Sequence, residues 1–77
     1  MSKTLRWGIS MIREKIRSII ADSRNIIYLL VDVRIERLSV EDDTIVAEGT
    51  YRYIMESGEF HVEFDGSTLE IRKIEIR

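Results

Sequence analysis

The apolar residues of this chain change period once, from a helical spacing to a strand spacing, and that change limits the fold to one helix packed on one sheet. Leu5, Ile9, Ile12, Ile16 and Ile19 recur at alternating steps of four and three, which puts them on one stripe of a helix over residues 4–23. Thr4 is placed to cap its start, and Asn25 can take the left-handed conformation that ends a helix. From Ile27 onward the period is two. Val31, Val33 and Ile35 share a face that Leu38 and Val40 continue with opposite parity, so one extra residue must sit near Glu36 and Arg37 as a bulge.

The same alternation predicts strands over 27–40, 44–56, 59–65 and 68–76. The second turns Ile45, Ala47, Gly49, Tyr51, Tyr53 and Met55 inward, and the third Phe60, Val62 and Phe64. The fourth uses Leu69 and Ile71, then changes parity to Ile74 and Ile76 at a second bulge near Arg72 and Lys73. A turn at Asp42-Asp43 pairs Val40 with Ile45 and Leu38 with Ala47, and through the first bulge Val33 with Tyr51 and Val31 with Tyr53. A turn at Ser57-Gly58 pairs Met55 with Phe60, Tyr53 with Val62 and Tyr51 with Phe64, and one at Asp65-Gly66 pairs Val62 with Leu69 and Phe60 with Ile71. The expected architecture is a single α+β domain over residues 1–77, with an N-terminal helix covering a four-stranded antiparallel meander (αββββ). Gly49, opposite Ile35, lets the sheet bend, and on the outer face Asp32, Arg52 and Glu63 form a row of alternating charge.

A helix followed by a curled four-stranded meander resembles the cystatin-like layout. Cystatin inhibitors present a Gln-x-Val-x-Gly hairpin and a Pro-Trp loop. Here the first hairpin tip reads Glu41-Asp42-Asp43-Thr44 and proline is absent, so protease inhibition does not carry over.

Length and composition narrow the functional classes. Seventy-seven residues lie near the lower limit for a self-sufficient core, so a second subunit is a reasonable expectation. With no cysteine and one histidine the chain has no disulfide, thiolate zinc site or cysteine nucleophile, and neither a metal nor a cofactor is expected. The longest apolar run, Ile26 to Val31, is strand length, which argues against a membrane span, and no signal peptide is visible, which favours the cytoplasm. Glutamine is absent, asparagine occurs once and thirteen residues are isoleucine, a bias resembling that of hot-adapted proteins. The net charge of −2 conceals a division: residues 1–25 carry six cations against two anions, and residues 26–77 carry six against twelve. That balance disfavours indiscriminate nucleic-acid binding while permitting a local basic patch.

Arg6, Arg13, Arg17 and Arg24 make that patch, because their offsets of 7, 11 and 18 align them within about 40° on a helix. Guanidinium forks could grip phosphates or an acidic protein partner. Alternatively the stripe flanks the helix–sheet seam and pairs with sheet carboxylates such as Glu36, Glu48 and Glu75. Trp7 and Met11 point away from the isoleucine stripe and mark a contact surface, or else Trp7 caps the core. Ile74 and Ile76 run past the end of the third strand in this register, so they would seek the edge of a second copy about a two-fold axis.

Other candidates have simpler readings. His61 lies outward between Glu59 and Glu63, opposite Glu70 and Ile54, where a solvated histidine is expected rather than an acid–base catalyst. Glu41, Asp42 and Asp43 lack EF-hand spacing and read as a polar turn, and Tyr51 and Tyr53 read as core. No Gly-rich phosphate loop or Ser/His/Asp set is present, so no catalytic residues are assigned. The expectation is a small non-catalytic interaction or adaptor protein, homodimeric through its last strand and docking through the arginine-lined helix. A nucleic-acid binder using the same arginines is the alternative, and an enzyme with its site at a subunit interface is a second one.

Overall fold

Ile12, Ile16 and Ile20 are fully buried on one face of a helix, α1 (Ile9–Arg24), which lies across a four-stranded antiparallel sheet. The computed structural model describes residues 7–77, so Thr4, Leu5 and Arg6 lie outside the described residues. The helix starts behind Gly8, which offers no capping side chain. It ends as the sequence predicts. Asn25 is left-handed (φ 55°, ψ 47°), its N–H donates to the Asp22 carbonyl, and the Ile26 N–H reaches back to Ala21 at 3.0 Å. Ala21 and Ile26 both pack on the core, so the turn satisfies the last carbonyls and closes an apolar contact.

The chain then departs from expectation. The strand predicted to start at Ile27 begins at Val31, and Tyr28–Leu30 forms a short 3₁₀ turn, η1. Val31 pairs with Tyr53, the last residue of its neighbour, so a strand extended back to Ile27 would have no ladder to join.

The sheet runs in the order β1 (Val31–Glu41), β2 (Thr44–Tyr53), β3 (Glu56–Asp65) and β4 (Ile71–Ile76), with both edges open. Its first hairpin has the predicted register throughout, including the bulge at Glu36 that sets Ile35 opposite Gly49. The second turns three residues earlier than predicted, at Ile54-Met55. Tyr53 therefore pairs with Glu56, Tyr51 with Gly58 and Ala47 with Val62. Each β2 residue's partner moves by six positions, an even number, so the inward faces survive, but Met55 leaves the core for the hairpin tip, and Arg52 faces Ser57 rather than Glu63. This register pairs β2 along its whole length, from Thr44 opposite Asp65 to Tyr53 opposite Glu56.

The third connection is longer than two residues. The Asp65 carboxylate accepts the N–H groups of Ser67 and Thr68, winding one tight turn that ends at Leu69, left-handed (φ 62°) and buried. Phe64 then pairs with Ile71 and, after a bulge at Arg72, Val62 pairs with Ile74 and Phe60 with Ile76. Backbone bonds between Glu59 and Arg77 extend the ladder. Residues 74–77 thus do not overrun β3, and the dimer edge expected at Ile74 and Ile76 loses its premise.

The inner face contributes Val31, Val33, Ile45, Ala47, Tyr51, Phe60, Val62 and Phe64 to the core beneath the helix. Burying each of the three helix isoleucines contributes about 1.5–3 kcal/mol. The helix is fastened at both ends. Trp7 Nε1 donates to the Gly66 carbonyl at 3.0 Å near the Asp42-Asp43 turn, and Arg24 donates to the Tyr51 hydroxyl at 3.0 Å near the other end of the sheet.

Candidate functional site

Beyond the Val31–Tyr53 rung the chain leaves the sheet on both strands, and the residues that follow are apolar and uncovered. Leu29 is 80% exposed, Met55 93% and Ile54 70%, and Ile27 and Leu30 are 66% and 48% exposed. Leu30 continues β1 backwards as Ile54 continues β2 forwards, so these side chains share one end of the sheet. Ile54 adds a conformational cost. Its φ of 50° is left-handed, where a β-branched side chain is strongly disfavoured and Gly or Asn is usual. Charges of both signs border this end: Arg24 at the helix terminus, Asp32 opposite Arg52 on the outer face, and Glu56, whose carboxylate accepts from the Tyr53 hydroxyl.

Sequence reasoning missed this end because it placed Ile27 and Leu29 in a strand and Met55 in the core. One signal was available. Ile26 to Val31 has no polar residue, so a two-faced strand there would leave one apolar face in water.

Two of the four arginines of the stripe, Arg17 and Arg24, are engaged within the fold. Arg17 lies over the Tyr28 ring at 5.3 Å and meets Glu14 at 3.4 Å, with its Nε buried and unpartnered. Arg24 lies over the Tyr51 ring and donates to its hydroxyl, which in turn donates to the backbone oxygen of Arg77 at 3.0 Å. Aromatic rings therefore hold these two, in place of the sheet carboxylates Glu36, Glu48 and Glu75. Arg13 has no ion pair among the described residues, and Arg6 lies outside them. Trp7 is half-buried against the core and hydrogen-bonded, whereas Met11 stays exposed.

On the face opposite the helix, Arg37, Glu48, His61 and Glu75 stand in one row across all four strands. They line a shallow concavity of about 470 Å³ with Glu36, Glu59 and Arg77. His61 contacts Glu63 through Nε2 at 2.8 Å and Glu48 through Nδ1 at 3.1 Å, so its neighbours are Glu48 and Glu75 in place of the expected Ile54 and Glu70. Both nitrogens can donate only in the imidazolium, and the Glu63 and then the Glu48 hydrogen bond raise its pKa above the ordinary 6.5. In the imidazolium form both nitrogens donate and neither offers a lone pair to a substrate. In that form His61 ties β2 to β3 through Glu48.

Among the described residues no group of His, Asp and Glu is arranged to hold a metal ion. No described helix is long and apolar enough to cross a membrane. Tyr51 and Tyr53 stack in parallel at 6.1 Å on the helix side, as core residues. Compared with family models, curated proteins and solved structures, the chain has no match.

Proposed function

We propose that this chain is a small non-catalytic interaction protein whose docking surface is the apolar end formed by Ile27, Leu29, Leu30, Ile54 and Met55. The observation that carries this reading is Ile54. A branched apolar side chain in a left-handed turn, 70% exposed, costs both conformational strain and hydration, and its small buried part offsets little of that within the monomer. Local rules are broken where a surface serves another molecule. The basic helix is the weaker candidate, since Arg17 and Arg24 already rest on Tyr28 and Tyr51.

A photoreactive residue at position 55, introduced into the chain in its native host, tests the reading. Adducts should form from position 55 and not from the exposed helix position 18. No adduct above that control would overturn the proposal. Binding of mixed-sequence DNA or RNA that weakens steeply with salt would favour the arginine-stripe alternative instead.

A further inference from the structure

We infer that the apolar end is occupied by a second copy of this chain, giving a two-fold dimer that meets end to end. This rests on the docking reading above and names its partner. The first argument is area. The five exposed residues present roughly 600 Å² between them, the upper end of what a monomer ordinarily leaves in water, and two such ends would bury about 1,200 Å², above the ~1,000 Å² a specific interface needs. The second is placement. The patch follows the Val31–Tyr53 rung where the β1–β2 ladder ends, so two copies can meet there end to end with their sheet edges left uncovered.

The third argument is charge. The rim of the patch carries Asp32 and Glu56 against Arg24 and Arg52, two of each sign. A two-fold axis through the patch lets each sign meet its opposite, so a balanced rim is compatible with its own copy, whereas a strongly charged partner would call for a rim of one sign. Size adds a reason. A chain of 77 residues has a small core, and sequestering a further apolar cluster offsets the deficit that makes domains of this length marginal.

Sedimentation velocity on the purified chain, from submicromolar to about 100 µM, tests the inference together with the position-55 cross-link. The wild type should move from the 9.1 kDa monomer to twice that mass. Leu29→Glu with Met55→Glu should raise the dissociation constant at least ~100-fold, since each substitution counts twice across the axis. Ser18→Glu should leave it unchanged. Ile54→Asn is a milder variant that suits the left-handed turn and should weaken the dimer while keeping a cooperative melt. Cross-linking should give an adduct of two chains joined near residues 29, 54 or 55. A wild type that stays at 9.1 kDa throughout, or a dimer untouched by both sets of substitutions, would overturn the inference. Adducts with other polypeptides alone would also overturn it while leaving the docking reading standing. No adduct at all would remove both.

Discussion

The phenol ring of Tyr51 occupies the space that a side chain at Gly58 would need. The two residues are direct partners in the β2–β3 ladder, and a Cβ built on Gly58 would come within 2.6 Å of Tyr51 Cζ and would also fall on the backbone oxygen of Arg77. Tyr51 is held there by its hydrogen bonds to Arg24 and Arg77, so it cannot swing aside cheaply. Gly58→Ala should therefore destabilise the fold by about 1–3 kcal/mol, the usual range for overpacking, measured by urea denaturation. A variant as stable as the wild type would show that both the ring and the Arg77 backbone yield at little cost.

That pairing also explains which parts of the fold could be read in advance. Ser57-Gly58 reads locally as a turn, yet the glycine serves a ring seven residues earlier, and no local rule links the two. Alternation could not correct the error, because an even shift leaves every inward residue of β2 and β3 on its own face. The first hairpin was legible because the parity change at Glu36 and the Asp42-Asp43 turn constrain its register twice over. Helical angles located the arginine stripe, but only the packed tertiary structure puts Tyr28 and Tyr51 beneath Arg17 and Arg24. The apolar end was hidden by the register error itself, since Met55 was assigned to the core.

Asp65 gathers three donors: the backbone N–H groups of Ser67 and Thr68 on one oxygen and Arg72 on the other at 2.5 Å. These bonds, the Ser67 one foremost, hold its pKa at about 2 against an ordinary 3.8. A depressed folded-state pKa contributes stability that is present above the ordinary value and is lost as pH falls through the lower one. Asp65→Asn should lower the melting temperature at neutral pH, and the gap to wild type should close as pH is brought from about 4 to about 2. A gap that persists undiminished at the acid end would refute this account.

His61 behaves in the opposite sense. Its pKa is raised by Glu63 first and Glu48 second, so its contribution is complete below about 6.5 and fades as pH rises through the higher folded-state value. A ring-proton NMR titration should give a midpoint above 6.5, and Glu63→Gln should lower it more than Glu48→Gln. His61→Gln should destabilise the protein at mildly acidic pH and have less effect at alkaline pH. A midpoint at or below 6.5 would mean that the two carboxylates do not grip the ring.

Ile54 sets folding against association. In the left-handed region an L-residue with a Cβ costs roughly 1–2 kcal/mol, least for Asn, while the 70% of Ile54 that is exposed contributes little to the monomer core. Ile54→Asn should therefore stabilise the isolated chain by about 1 kcal/mol, read from denaturation at concentrations too low for pairing. The same substitution removes a branched apolar group from the end where two copies are proposed to meet, so at high concentration the order of stabilities should reverse. A substitution that improves the monomer and impairs the assembly identifies a residue kept for contact rather than for fold. If Ile54→Asn destabilises the dilute chain instead, the isoleucine supports the hairpin itself, and the strain that singles it out as a docking residue is offset inside the monomer.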